Sequence, residues 1–344
     1  MQTIITEQQD LLNSKGLIEN PGFAFTPVWR YNKENIQAPK WRIKEWDYYL
    51  INSKDYAVAF TISDLAYLGM ISVSVLDFRV PSNRTQTVLT AFPMGKFNLP
   101  ATPDAGISQY IGKDVQIKVN VKDGKRHIRC HYPKFDQGKD LDADLILEDQ
   151  YEESMVIATP WKEKPTCFYY NQKNNCIAAE GTVTIGDEVF TFSKDTDFAV
   201  LDWGRGVWTY DNTWYWGTGS GLVYGKTFGI NWGYGFSDRS SASENVIFYD
   251  GKVHKLSEVF FHIPKNDKGE YMFEEQWKIT SDDNRVNGIF EPIIDRYANT
   301  DLKVIISTQH QVFGKFTGTV ILDNSEAITV KDFICALEMV RNKY

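Results

Sequence analysis

The sequence is built mainly from short runs of β-branched and aromatic residues, separated by turn signals at intervals of roughly 8 to 12 residues. These runs lie at residues 41–51, 56–63, 69–78, 86–92, 115–121, 126–132 and 154–159. Asp123-Gly124, Gly186-Asp187 and Asp250-Gly251 each separate two β-rich runs, which is typical of a β-hairpin. Almost no helical period is present to cover a parallel sheet. The pattern therefore predicts an all-β protein whose antiparallel strands close into barrels or sandwiches.

One short helix is predicted near the N-terminus. Thr6 and Gln9 have the spacing of a capping box, Leu11 and Leu12 supply an apolar pair, and Gly16 supplies a stop. The 344 residues exceed the length at which a single core stops growing, so either two packed units or one long continuous β architecture is expected.

Charge and motif content exclude several classes of protein. The chain has 37 basic and 45 acidic residues and a pI near 5.3, which leaves no basic surface for nucleic acid. No run approaches the roughly 18 apolar residues of a membrane span, and the first residues lack the features of a signal peptide, so a cytoplasmic protein is predicted. The four cysteines have no zinc-like spacing, and no nucleotide-binding loop is present. We therefore predict free thiols, no metal and no cofactor.

Aromatic residues make up 14% of the chain and are concentrated in residues 201–238. Five of the 10 tryptophans lie there, together with nine glycines. Side chains two apart in a strand share a face, so Trp214 and Trp216 should lie side by side, and glycine between aromatics allows close approach of the backbone. This pattern predicts an aromatic-walled cavity.

Charged residues beside these aromatics are candidates for chemistry. An acid against aromatic walls loses water, so its pKa rises, while a nearby guanidinium keeps another carboxylate ionised. We therefore predict a catalytic set of Asp202, Arg205 and Glu244. The alternative is that Asp202 and Arg205 form a structural ion pair and that Glu244 accepts backbone hydrogen bonds. The predicted ligand-binding residues are Trp208, Tyr210, Trp214, Trp216, Asn231, Trp232, Tyr234, Asn245 and His310.

Three functions fit these residues, each with a small-molecule ligand. The first is a cofactor-independent hydratase or isomerase that acts on a small or medium apolar or hydroxylated molecule by carboxylic acid/base chemistry. The second is a carrier that holds a lipid or isoprenoid in the same cavity without chemistry. The third is a carbohydrate-processing enzyme, because aromatic faces and paired carboxylates also suit sugar rings.

The motifs also resemble those of a bacterial family of unknown function, DUF2804. The matching segments are DWGRGVW at 202–208, WYW at 214–216, GINWGYGF at 229–236, SEN at 243–245, DGK at 250–252, FYYNQK at 168–173, WKI at 277–279, SDDNRV at 281–286 and FEP at 290–292. The likeness covers nearly the whole chain, and the combination is specific although each piece alone is weak.

By remoter similarity, that family is grouped with calycin-like proteins that have two lipocalin-type barrels, among them carotenoid 1,2-hydratases and AttH-type proteins. The resemblance implies two tandem lipocalin-like antiparallel barrels with a cavity near their junction. It implies either hydration and cyclisation chemistry or lipid carriage. We accordingly predict an N-terminal segment at 1–25 with the short helix, a first barrel at 26–197 and a second barrel at 198–344.

Overall fold

The computed structural model of the protein describes residues 2–301, 303 and 306–343. Apart from two short 3-10 helices, Lys33–Asn35 and Lys40–Arg42, the regular elements in this part of the chain are strands. In chain order, they are β1 (Gln9–Asp10), β2 (Gly22–Ala24), β3 (Trp29–Arg30), β4 (Ile43–Asn52), β5 (Tyr56–Asp64), β6 (Leu68–Asp77), β7 (Ser82–Ala91), β8 (Gly106–Ile111), β9 (Gln116–Lys122), β10 (Lys125–Asp136), β11 (Lys139–Glu148), β12 (Met155–Trp161), β13 (Lys164–Ile185), β14 (Glu188–Phe192), β15 (Phe198–Val207), β16 (Asp211–Val223), β17 (Lys226–Tyr234), β18 (Val246–Tyr249), β19 (Lys252–Lys255), β20 (Val259–His262), β21 (Trp277–Ser281), β22 (Val286–Asp301), β23 (Ile306–Ile321) and β24 (Ala327–Lys343).

The strands form two large antiparallel sheets. The first sheet follows the order β7-β6-β5-β4-β15-β13-β11-β10-β9-β8, with β12 and β14 also paired to β13 and with β2 paired to β12. The second follows the order β19-β18-β17-β16-β24-β23-β22-β21-β20. Each sheet curls, because β5 contacts β8 in the first and β17 contacts β20 in the second. The predicted all-β architecture of two curled barrel-like sheets is confirmed.

The three predicted hairpins are also confirmed. Lys122 pairs with Lys125, Ile185 with Glu188, and Tyr249 with Lys252, so each predicted pair of turn residues lies in a two-residue connection. Asp123 and Gly124 both have positive φ, of 52° and 72°, as the tight turn requires.

The predicted N-terminal helix is wrong. The chain is extended there, and β1 pairs with β3 in parallel. The backbone N–H groups of Gln9 and Leu11 donate to the carbonyls of Val28 and Arg30, while Leu11 and Leu12 are buried. Pairing with a distant strand thus satisfies the backbone groups that a helix would have satisfied locally, and it buries the apolar pair as well.

Buried apolar side chains form three clusters. One lies inside the first sheet and one inside the second. A third lies between the sheets and contains Tyr48 and Val200 from the first sheet and Trp216 and Phe313 from the second. The first sheet ends with β15 at Val207 and the second begins with β16 at Asp211. The division of the chain at residue 198 stays a prediction.

Candidate functional site

Strand β15 separates the interior of the first sheet from the junction between the two sheets. Alternate side chains of a strand point to opposite faces. Asp202 lies opposite Tyr48 of β4 and Lys173 of β13, and this row of side chains faces the junction. Trp203 and Arg205 lie on the other face, inside the first sheet. The structure therefore does not bring Arg205 together with Asp202.

Lys173 is the centre of a buried charged cluster at the junction. Its ammonium lies 2.8 Å from Oδ1 of Asp202 and 3.7 Å from Oε2 of Glu244, and only 3% of its side chain is exposed. The amide of Asn171 donates to the same Asp202 oxygen at 2.6 Å. The ammonium also lies 4.4 Å from the ring centroid of Trp216, within cation–π range. We call Lys173, Asp202 and Glu244, with the aromatic rings around them, the junction site.

Glu244 is held mainly by neutral groups. The hydroxyl of Tyr169 donates to its Oε2 at 3.3 Å, and the amide of Asn231 approaches the same oxygen at 3.4 Å. Trp216 in turn donates its indole N–H to Oδ1 of Asn231 at 2.8 Å, which fixes the orientation of that amide. The side chains of Asp202 and Glu244 each remain 13% exposed, so neither is sealed off completely from solvent.

Aromatic rings from both sheets surround these carboxylates. Trp46 stacks on Tyr169 with an interplanar angle of 11°, and its centroid is 5.2 Å from that of Trp208. Trp208 and Trp214 are 5.7 Å apart. Glycine at 204 is required, because a Cβ there would lie 1.9 Å from the ring of Trp46. The rings contact one another, so the aromatic wall is closely packed.

A third acid at the junction, Glu338 of β24, was not predicted. Its carboxyl group accepts hydrogen bonds from the indole of Trp214 at 3.0 Å and from the amide of Gln311 at 2.9 Å. Burial raises the pKa of Glu338, and these neutral donors offset only part of the shift. Its sequence signal was a single acid within the apolar run ICALEMV at 334–340.

The raised pKa of Glu338 predicts a pH-dependent loss of stability. The ordinary pKa of a glutamate is 4.5, so above that pH the unfolded chain releases the proton while the folded protein retains it. Stability should therefore fall from about pH 4.5 up to the raised pKa. Glu338→Gln removes this titration, so its free energy of unfolding should rise relative to wild type through that interval. Urea unfolding of both proteins at a series of pH values measures the difference, and a constant difference would contradict the assignment.

Arg205 belongs to a separate network inside the first sheet and is fully buried. Its guanidinium lies 3.0 Å from Oδ1 of Asp47 and 3.9 Å from Glu45, and it donates to the carbonyl of Pro100 at 2.8 Å. It also lies 4.1 Å from the ring centroid of Trp203. These contacts are those of a buried charge compensated on several sides.

Tyr234 and His310 lie apart from the junction site, on one face of the second sheet, in a row of side chains that also contains Tyr215 and Met339. Tyr234 stacks on Tyr215 with centroids 4.4 Å apart. His310 is paired with Asp295 at 2.7 Å and stacks on Phe273 at 3.6 Å. The neighbouring strand β22 therefore brings a carboxylate to the imidazole of His310, and its role in ligand binding stays a prediction.

The remaining predicted residues have varied environments. Trp232 lies in the core of the second sheet and is fully buried. Asn245 accepts from the backbone N–H of Gly233 and donates to the carbonyl of Ser257, so it links strand and loop. Tyr210 is 51% exposed. Asp202, Glu244, Trp208, Trp214, Trp216 and Asn231 are the predicted residues that the structure brings to the junction.

The fold and the comparisons define the class of protein. Kievitone hydratase from Nectria haematococca has a TM-score of 0.55 to this chain at 11% identity, and the alignment covers 98% of each chain. A protein from Nitrosomonas europaea assigned as AttH has a TM-score of 0.54 at 12% identity, with 93% of this chain and 98% of that chain covered. At such low identity the likeness shows the fold alone, and the chain shares the barrel-like β fold of these two proteins.

The sequence shows which family the chain belongs to. The model of DUF2804, a domain of unknown function, matches residues 2–344, so the chain belongs to the DUF2804 family. No curated protein matches the sequence. Among the described residues, no group of three or more potential ligands could hold a metal ion. No helix in that same part of the chain has the length and apolar content that a membrane crossing requires.

Proposed function

We propose that the protein is a cofactor-independent enzyme of hydratase or isomerase type and that the junction site carries its acid/base chemistry. The observation that supports this proposal is the group Lys173, Asp202 and Glu244. Two carboxyl groups share one ammonium within an aromatic wall, and the side chains of both remain partly exposed. Hydration by acid/base catalysis requires a proton donor, a proton acceptor and access of water, and isomerisation requires the first two.

The charges of the site favour a substrate that is neutral and becomes positively charged as it reacts. Asp202 as a carboxylate, and Glu244 once it has given up its proton, supply two negative groups against the single ammonium of Lys173. The π-faces of Trp46, Trp208 and Trp214 add negative potential. An anionic group would be repelled here, whereas the cationic centre formed when an alkene takes up a proton would be stabilised.

The geometry suggests a role for each charged group. Glu244, which has the longer contact with Lys173 and neutral neighbours, gives its proton to an alkene carbon of the substrate. Water then adds to the resulting cation and loses a proton to Asp202, which has the closer ammonium. The product is an alcohol, and transfer of that proton from Asp202 back to Glu244 restores the starting state. Lys173 lies between the two carboxylates and holds them in position throughout.

Incorporation of oxygen from labelled water tests this proposal. A metabolite extract from cells that produce the protein is incubated with the purified protein in ¹⁸O-labelled water and analysed by high-resolution mass spectrometry. We expect a metabolite that either gains one labelled water or exchanges a hydroxyl oxygen, without cleavage. Labelled cleavage products would instead support the carbohydrate-processing alternative. A ligand that is bound in native mass spectra but never labelled would support the carrier alternative, and either result would contradict the proposal.

A further inference from the structure

Phe236 closes the junction site on one side. Its ring centroid lies 4.8 Å from those of Trp161 and Trp208, 5.1 Å from that of Tyr169 and 5.5 Å from that of Trp214. Tyr169 donates its hydroxyl to Glu244, so a single phenyl ring stands next to a residue that contacts the predicted acid. A ligand larger than water that approaches from this side must displace that ring.

The backbone around Phe236 has few contacts with β12, whereas the far end of the segment that follows it is anchored to the N-terminal residues through Ser241 and Ser243. Gly235 and Ser237, on either side of Phe236, have positive φ values of 88° and 56°, and the left-handed conformation is strained for serine. The segment 237–245 between β17 and β18 has no strand pairing. Its attachment to β12 consists of a hydroxyl contact between Ser237 and Thr159 at 2.7 Å and one backbone hydrogen bond from Asp238 to Pro160.

A depression lies on the outer side of this segment. Its volume is about 460 Å³, and it is lined by Lys162, Glu163, Ser237, Asp238, Arg239, Ser240 and Glu258. Arg239 forms an ion pair with Glu258. Two cationic and three anionic side chains therefore line a polar surface whose charges are largely balanced, with hydroxyl groups among them.

We propose that this depression is the outer part of the ligand site and that Phe236 is the gate between it and the junction site. This inference rests on the proposed function. The ligand class follows from the two environments. The depression, with nearly balanced charges and two serine hydroxyls, suits a neutral hydroxylated end that can both donate and accept hydrogen bonds, and the aromatic wall beyond Phe236 suits an apolar end that carries the reacting double bond. The ligand is thus an uncharged amphipathic molecule.

A reversible crosslink tests the gate without any need for turnover. Because the Thr159 and Ser237 hydroxyl oxygens are 2.7 Å apart, Thr159→Cys with Ser237→Cys places two thiols within bonding reach. The four native cysteines are buried and should not compete. The protein is labelled with fluorotryptophan, and the neutral hydroxylated nitroxide TEMPOL serves as the probe. The unpaired electron of TEMPOL increases the relaxation rate of fluorine nuclei that it approaches. This increase is measured for the fluorine signals of Trp208 and Trp214, which are assigned by substituting each tryptophan with phenylalanine.

We expect oxidation of the crosslink to lower the relaxation effect at Trp208 and Trp214 several-fold and reduction to restore it. Phe236→Ala, without the crosslink, should increase the effect at the same two residues. Trp41, which is 51% exposed, and the fully buried Trp277 serve as controls and should not change in either protein. Equal relaxation in the oxidised and reduced forms, or no increase in Phe236→Ala, would overturn the gate. Neither readout depends on catalysis, so a failure here is distinct from a failure of the proposed function.

Discussion

Glu244→Gln is expected to lower the rate of oxygen incorporation from labelled water by about 10²–10⁴-fold, the usual contribution of a positioned acid or base. The amide keeps the shape of the side chain and its contacts with Tyr169 and Asn231, but it has no acidic proton to give. Native mass spectrometry should still detect bound ligand in this variant. The measurement compares the initial rate of labelling in the variant with that in wild type at equal concentrations of folded protein.

The matched control for this prediction is Glu291→Gln. This substitution makes the same change of charge as Glu244→Gln, but at an exposed position of β22. Glu291 takes no part in the junction site. Its labelling rate should equal that of wild type. If Glu244→Gln and Glu291→Gln both label at the wild-type rate, Glu244 is not the acid.

Arg205→Met is expected to lower the free energy of unfolding by about 3–5 kcal/mol, because it leaves the buried carboxylate of Asp47 without its ion-pair partner, while Glu45 keeps its ion pair with Lys33. Asp47 and Glu45 are 3% and 2% exposed, so water cannot replace the lost guanidinium. The hydrogen bond to the carbonyl of Pro100 is lost as well. Urea unfolding followed by tryptophan fluorescence measures the change.

Arg341→Met provides the comparison for Arg205→Met. Arg341 is 56% exposed on its side chain, and its ion pair with Asp211 at 3.7 Å is screened by solvent. Its loss should change the free energy of unfolding by less than about 1 kcal/mol. If Arg205→Met cost no more than Arg341→Met, the network inside the first sheet would not stabilise the fold as described.

The fold could be predicted well because its signals are local. Turn pairs such as Asp123-Gly124 mark hairpins wherever β-rich runs flank them, and the structure has those hairpins. The prediction of an N-terminal helix was wrong because the pairing that replaces it is not local. Leu11 donates its backbone N–H to Arg30, and this partner is distant in the sequence. A local capping pattern carries no information on such a partner.

The candidate site could be predicted only in part, because its members come from several strands. Asp202 and Glu244 were found because acids stand out in an aromatic segment. Lys173 was missed because its partnership with Asp202 depends on the register between β13 and β15, which the sequence does not state. The separation of Arg205 from Asp202 could have been predicted from the sequence, because residues three apart in a strand point to opposite faces.

The position of the bound ligand tests the central claim most directly. A crystal structure of the protein purified with its natural ligand should show that molecule against Trp46, Trp208 and Trp214. A reacting carbon or oxygen of the ligand should lie within contact distance of the carboxylates of Asp202 and Glu244. A ligand bound instead beside Tyr215 and His310 in the second sheet, with the junction site closed and unchanged, would contradict the claim.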